Sequence, residues 1–248
     1  MRALILGGTR DANLLADAAA RLGFDAVYSY AGRTGAPATQ SLPTRIGGFG
    51  GARGLADYIE KQGITHVVDA THPFAAEISR NAVAACAVTG TALIALERAP
   101  WEKTADDNWI EVQDVAAAAA ALPEQRARVF LAIGRQHLAP FFGKPQHAYT
   151  LRFVDAPDAA LPLPDTRVIV SRGPFTLAGD LALMRSQRIE WIVARNSGGT
   201  GARAKIDAAR ELRLPVIMIA RPALPERRRA ESIDEVLAFL DHDARLGA

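Results

Sequence analysis

Short runs of apolar residues recur along this chain, separated by longer stretches with helical spacing. In the first part the runs at 2–6, 26–30, 66–70 and 92–96 predict strands, and 11–22, 53–62 and 74–88 predict helices. Residues 64–69 include consecutive β-branched apolar side chains, the mark of a strand covered on both faces. Strict alternation of strand and helix predicts an α/β fold with a mainly parallel sheet.

The pattern breaks over 98–108, a polar, turn-prone stretch that carries Pro100 and Trp101. A domain junction is expected there, giving a first domain over 1–99 and a second over 100–248. A second alternating series follows, with strands at 109–112, 128–133, 168–171, 191–195 and 216–220. Helices are expected at 115–122, 177–187, 202–212 and 233–242, and the proline-bearing 156–166 reads as a loop.

The 248 residues are enough for a large core, and the 49% apolar content excludes a mainly disordered chain. A formal net charge of +2 gives no reason to expect nucleic acid. The kind of cation is more telling. Lysine occurs only at Lys61, Lys103, Lys144 and Lys205, so 25 of the 29 basic side chains are arginine. Arginine grips carboxylates and phosphates two-pronged, although alanine- and arginine-rich codon usage gives the same bias. Cys86 is the lone cysteine, expected in the core, so neither an intrachain disulfide nor a cysteine metal site is expected. The N-terminal apolar run stops at Gly7 and Gly8, and no stretch approaches a membrane span; the expected location is the cytoplasm. The pattern carries no signal of oligomeric state.

Candidate chemistry gathers where strands end and helices begin, which in an α/β fold is the ligand-binding edge. Gly7, Gly8 and Thr9 follow the first strand. They fall short of the full G-x-G-x-x-G pattern, yet glycines and a helix start together offer N–H groups to an anion. The second strand ends without the acid that binds the ribose of NADH; Arg33 and Thr34 follow it and suit the extra phosphate of NADPH, with a grip on a substrate carboxylate as the competing role for Arg33. Asp69, Thr71 and His72 precede Pro73, which fits the first turn of a helix capped by Thr71 or His72. A histidine there could face a ligand, as a positioning group or a proton donor. Ser171 and Arg172 end another strand, with Thr176 as a helix cap. Finally Asn196, Ser197, Gly198, Gly199, Thr200 and Gly201, with Lys205 about one turn into the next helix, make a cradle for a phosphate. Walker spacing is absent, which disfavours ATP hydrolysis.

Taken in order, these pieces resemble the precorrin-6A reductase family of cobalamin biosynthesis. The resemblance rests on Gly7 to Thr9, Ala31 to Arg33, Asp69 to Phe74 with Ile78, Ser79, Asn81 and Ala82, Ser171 to Phe175, Asn196 to Gly199 with Lys205, and the closing 215–219 run with Arg221 and Pro222. Asp11 stands where the family pattern expects a glutamate, and Arg195 where it expects a lysine. The resemblance implies two Rossmann-like domains with an active-site cleft between them, NADPH as cofactor, and no metal. It implies hydride transfer to a conjugated carbon–nitrogen system of the precorrin-6A ring, with a proton added at the adjacent carbon, giving precorrin-6B. A cobalt-containing and a metal-free macrocycle present nearly the same periphery. It further implies that Gly7, Gly8, Thr9, Arg33, Thr34, Ser197, Gly198, Gly199, Thr200 and Lys205 serve the cofactor, and Asp69, Thr71, His72, Ser171 and Arg172 the tetrapyrrole. Membrane and nucleic acid have no part in that reaction.

Two other readings stay open. A short-chain reductase or epimerase of a nucleotide sugar would want a Tyr-x-x-x-Lys pair, and Tyr28, Tyr30, Tyr58 and Tyr149 all lack the lysine. A redox sensor would bind NADPH without turnover.

Overall fold

The structure is a computed structural model that describes residues 1–32, 39–157 and 159–246. It divides into two compact units, the first made of Met1–Ala99 with Ala223–Ala248 and the second of Pro100–Pro222.

In the first unit β1 (Ala3–Leu6), α1 (Arg10–Arg21), β2 (Ala26–Tyr30), β3 (Thr44–Ile46), α2 (Gly51–Gln62), β4 (His66–Asp69), α3 (Ala76–Thr89) and β5 (Ala92–Leu96) follow one another. The second unit runs β6 (Trp109–Val112), α4 (Val115–Ala120), β7 (Arg128–Ala132), β8 (Ala148–Phe153), β9 (Thr166–Val170), α5 (Leu177–Ser186), β10 (Trp191–Arg195), α6 (Ala204–Glu211) and β11 (Val216–Ile219), with 3₁₀ turns at Arg135–His137 and Ala139–Gly143. Beyond it β12 (Arg228–Ala230) and α7 (Ile233–Leu246) belong to the first unit.

A second domain running to residue 248 is therefore corrected. β12 pairs in parallel with β5, from Arg228 beside Ile94 to Ala230 beside Leu96. From α7, Val236, Phe239 and Leu240 bury against the core that holds Ile5, Tyr28 and Val68. Apolar burial, not chain order, assigns these residues to the first unit.

Each unit holds one six-stranded sheet, ordered β12-β5-β4-β1-β2-β3 in the first and β6-β11-β10-β7-β8-β9 in the second. Every strand pair described is parallel. β1 shows why the sheet is a middle layer. Ala3 and Ile5 pack with α1 and α7 on one face, while Leu4 and Leu6 pack with α2 and α3 on the other. Strand alternation thus feeds two apolar cores from one short strand. In the second unit, α5 and α6 lay Leu181, Met184 and Ile206 over Phe130, Ile192 and Met218.

Helix starts follow side-chain chemistry. Thr9, Asp114 and Thr176 cap α1, α4 and α5, each oxygen accepting an N–H from the first turn. The helix expected from residue 74 starts instead at Ala76, with no side-chain cap.

Candidate functional site

Strand order locates the candidate site. In the first sheet the chain leaves β1 for β2 and β3 on one side, then crosses to β4 on the other. The second sheet does the same around β7, with β8 and β9 on one side and β10 on the other. A parallel sheet opens a crevice where the winding reverses, beyond the carboxyl ends of the two strands. Those ends carry Gly7 to Thr9 and Asp69 to His72 in the first unit. In the second they carry Gly134 to His137 and Asn196 to Gly201.

In the first unit the loop after β1 is built around Tyr28. A Cβ at Gly7 would stand 2.1 Å from the Tyr28 ring, so that glycine is demanded by packing. Gly8 has φ +104 with open space around it, and its N–H donates to the Tyr28 hydroxyl at 2.8 Å. That hydroxyl donates in turn to Asn13 Oδ1 at 2.6 Å, and burial holds the phenol protonated well past its ordinary range. Gly8 therefore spends its N–H within the protein, contrary to a phosphate cradle made of that group. The N–H groups of Thr9, Arg10 and Asp11 donate to no protein group among the described residues, and they head α1. Asp11, also in that first turn, is paired with Arg98 Nε at 3.1 Å, which offsets its charge toward an incoming anion.

Across the switch point, the Thr9 hydroxyl donates to Ala70 O at 2.9 Å and ties the two loops together. Asp69, 4% exposed, accepts from the Thr71 N–H at 3.2 Å and the Thr71 hydroxyl at 2.6 Å. Thr71 thus closes a local turn and caps no helix. His72 Nδ1 accepts from the Phe74 N–H at 3.2 Å, and Ala75 N–H donates to His72 O at 2.7 Å. His72 therefore caps a separate turn ahead of α3, correcting the expected helix cap. With Nδ1 accepting, a neutral ring carries its hydrogen on Nε2. Arg33 and Thr34 lie outside the described residues.

The 196–201 loop of the second unit is held from outside. Trp101 N–H donates to Asn196 Oδ1 at 2.7 Å, Asn196 Nδ2 donates to Trp101 O at 2.8 Å, and Trp101 Nε1 donates to Gly199 O at 2.7 Å. Arg221 donates to the carbonyls of Asn196 at 3.0 Å and Ser197 at 3.2 Å. The loop's carbonyls are thus engaged on one side. Gly198 and Gly199, at φ +68 and +67, turn successive N–H groups the other way, a conformation glycine adopts without cost. The N–H groups of Gly198, Gly199 and Thr200 have no acceptor among the described residues. This is a backbone nest for an anion.

Lys205 lies in the first turn of α6. It is 5% exposed, donates to Ala202 O at 2.6 Å, and lies 4.9 Å from the centre of the Trp101 ring. Burial first, then the charges of Arg152 and Arg195, lowers its pKa from 10.5 to about 7, with Asp180 acting the other way. Arg172, offered by sequence as a ligand group, pairs with Asp155 at 2.8 Å on the surface. Ser171 follows β9, its N–H donating to Phe153 O at 2.9 Å. Thr176 caps α5 as expected.

A family model described as precorrin-6x reductase CbiJ/CobK matches residues 2–241. The chain belongs to this family. A precorrin-6A reductase of Rhodobacter capsulatus is 59% identical over 98% of this chain and 97% of its own length. One from a Sinorhizobium species is 48% identical, over 97% and 93%. The solved structure of a CobK precorrin-6A reductase superposes with a TM-score of 0.93 at 59% identity, covering 98% of this chain and 96% of that one.

For a reductase of this family, sequence reading found the loops but missed their supports. Tyr28 stood out only as a tyrosine without a paired lysine and Trp101 only as part of the junction, and His137, Arg152 and Asp180 carried no signal. Trp101 reaches the loop from 95 residues away, a distance no local pattern signals. Among the described residues no group of three or more His, Cys, Asp or Glu side chains is placed to hold a metal, and no helix is long and apolar enough to cross a membrane.

Proposed function

We propose that this chain catalyses the reduction of precorrin-6A to precorrin-6B by NADPH, a step in the making of cobalamin. The near full-length match to precorrin-6A reductases carries the reading. The donor set fits the cofactor: free N–H groups head α1 at a switch point, and a second free row spans Gly198 to Thr200. Bound NADPH supplies the hydride.

The chain's own residues bind and orient. Gly7 and Gly8 shape the first loop, and the N–H groups from Thr9 onward would take a phosphate of the dinucleotide. Arg33 and Thr34 would take its 2′-phosphate. Ser197 to Thr200, backed by Lys205, would hold an oxyanion of the cofactor or the macrocycle. Asp69 and Thr71 fix the turn that presents His72 to the tetrapyrrole, and Ser171 and Arg172 would meet its carboxylates. His72 positions the ring rather than serving as obligatory acid, since water can bring the proton. Neither nucleic acid nor a membrane enters this reading, and the compartment proposed is the cytoplasm, where NADPH is kept reduced.

Two measurements test it. Purified chain should consume NADPH only when precorrin-6A is present; binding of the dinucleotide without turnover would make the protein a sensor. Gly199→Asn and Gly199→Asp both tolerate the left-handed backbone but differ by one charge. The aspartate should weaken binding of NADPH or precorrin about tenfold or more beyond the asparagine. Equal affinities would remove the loop from the site. In the same way Arg33→Ala should cost roughly 1.5–3 kcal/mol of NADPH affinity and little for NADH.

A further inference from the structure

The hydrogen bonding of the first unit does not stop at Tyr28. The Gly8 N–H donates to the Tyr28 hydroxyl at 2.8 Å, and that hydroxyl donates to Asn13 Oδ1 on α1 at 2.6 Å. From the other side Gln40 Nε2 donates to the same Asn13 oxygen at 3.2 Å and also to the Tyr30 hydroxyl. Asn13 Oδ1 is therefore a meeting point, reached by one donor from each direction. The rings of Tyr28 and Tyr30 are buried, with their centres 4.7 Å apart, so packing fixes where their hydroxyls stand.

Chemistry sets the sense of this run. The Tyr28 oxygen already accepts from Gly8, so its own hydrogen needs an acceptor, and only the carbonyl end of the Asn13 amide can serve. Gln40 spends one amide hydrogen on Asn13 and the other on Tyr30. Such bonds strengthen one another, and an apolar side chain at position 13 would strand a buried phenol hydrogen. A second tie runs alongside, where the Ser41 hydroxyl donates to Asp17 Oδ1 at 2.6 Å, four residues beyond Asn13 on α1.

The ends of the run are the two places a dinucleotide touches on such a sheet. Gly8 leads into the N–H groups that head α1. Tyr30 ends β2, and Gln40 returns to it after the stretch that carries Arg33 and Thr34 in sequence. The first place takes the pyrophosphate and the second the ribose with its 2′ substituent. One amide oxygen of α1 ties them together.

We propose that Asn13 is a positioning residue for the cofactor: through Tyr28 and Gln40 it keeps the loop after β1 in register with the end of β2, and so favours NADPH over NADH. The inference rests on the cofactor reading proposed above and adds a residue that none of its roles includes. A ligand gripped at both places gains when they are preset, because less ordering is left to binding. NADH lacks the 2′-phosphate, draws on one place more than the other, and gains less.

Calorimetric titration of the full chain with NADP⁺ and with NAD⁺ tests this without turnover. Asn13→Leu, close to asparagine in size, should weaken NADP⁺ about tenfold and NAD⁺ less than about threefold. In steady-state assays the loss should fall on KM for NADPH and not on kcat. Gln40→Leu breaks the run at the next link and should lower the preference likewise; it serves alone should the Asn13 variant fail to fold. Both substitutions together should cost little more than Asn13→Leu by itself, since the run is already broken. Equal weakening of the two dinucleotides would make Asn13 a stability residue, and unchanged affinities would make the run incidental; either result overturns the proposal. So does a wild-type chain that binds NAD⁺ as well as NADP⁺, or binds neither. The reductase reading fails separately, if NADPH is not consumed with precorrin-6A, and the two affinities decide the role of Asn13 in that case too.

Discussion

The ring of Tyr28 fills the space over Gly7: a Cβ at position 7 would stand 2.1 Å from the ring's Cζ. A glycine in a strand-to-helix turn is easily credited to a ligand. Here the first claimant is a buried phenol. Gly7→Ala should cost about 1–3 kcal/mol in denaturant unfolding, the usual range for overpacking. Gly8→Ala meets no atom but sits at φ +104, so its cost of roughly 1–3 kcal/mol is backbone strain. A Gly7→Ala protein of undiminished stability that has lost only NADPH affinity would return Gly7 to the ligand.

Trp101→Phe keeps the ring beneath the loop and deletes the bond to Gly199 O. About 1 kcal/mol of stability should go with it, as for one neutral hydrogen bond. Because the loop's free N–H groups are aimed by that tether, KM should rise while kcat holds. A fall in kcat at constant KM would mean that Trp101 acts elsewhere.

Burial of Lys205 also sets how stability depends on pH. The folded lysine loses its proton near pH 7, whereas the unfolded one keeps it to about 10.5. Between those values the unfolded chain binds more protons, so stability should climb as pH rises through that window. Compared with Lys205→Met, the wild-type chain should gain roughly 1–4 kcal/mol over it, read from denaturant midpoints at successive pH values. A constant difference between the two proteins would show that Lys205 is charged in the folded state.

His72→Asn retains an acceptor for the Phe74 N–H and so preserves the turn. General acids contribute on the order of 10²–10⁴-fold. A positioning role predicts a kcat loss below about 100-fold with a raised KM for the macrocycle. A loss near the top of that range, at unchanged KM and with the acidic limb of the pH–rate profile gone, would make His72 the proton donor.

Most of the scaffold could be read from the chain because buried parallel strands advertise themselves as unbroken apolar runs, as 216–219 does. Three strands escaped for physical reasons. β3 and β12 are three-residue edge strands, exposed enough to be polar, and β12 reads Arg-Arg-Ala. β8 mixes Thr150 and Arg152 into its run because that arginine serves the buried pair with Asp180. The loops were visible through their glycines, whose backbone demands are local. What holds them was not: Tyr28, Trp101 and Arg221 act across 20, 95 and 24 or more residues, and no spacing rule spans such distances. The charge of Lys205 was legible, whereas its burial beside the Trp101 ring was not.

The return of β12 and α7 to the first sheet bears on the order in which the molecule can be made. The second unit is continuous in sequence, so it can close while the ribosome is still at work. The first unit lacks an edge strand and a core helix until residues 223–246 emerge, and its Val236 and Leu240 must find Ile5 across more than 200 residues. Contacts so distant are slow to form. The half that is synthesised first is therefore the half that finishes last, with part of its apolar face in want of cover in the interval.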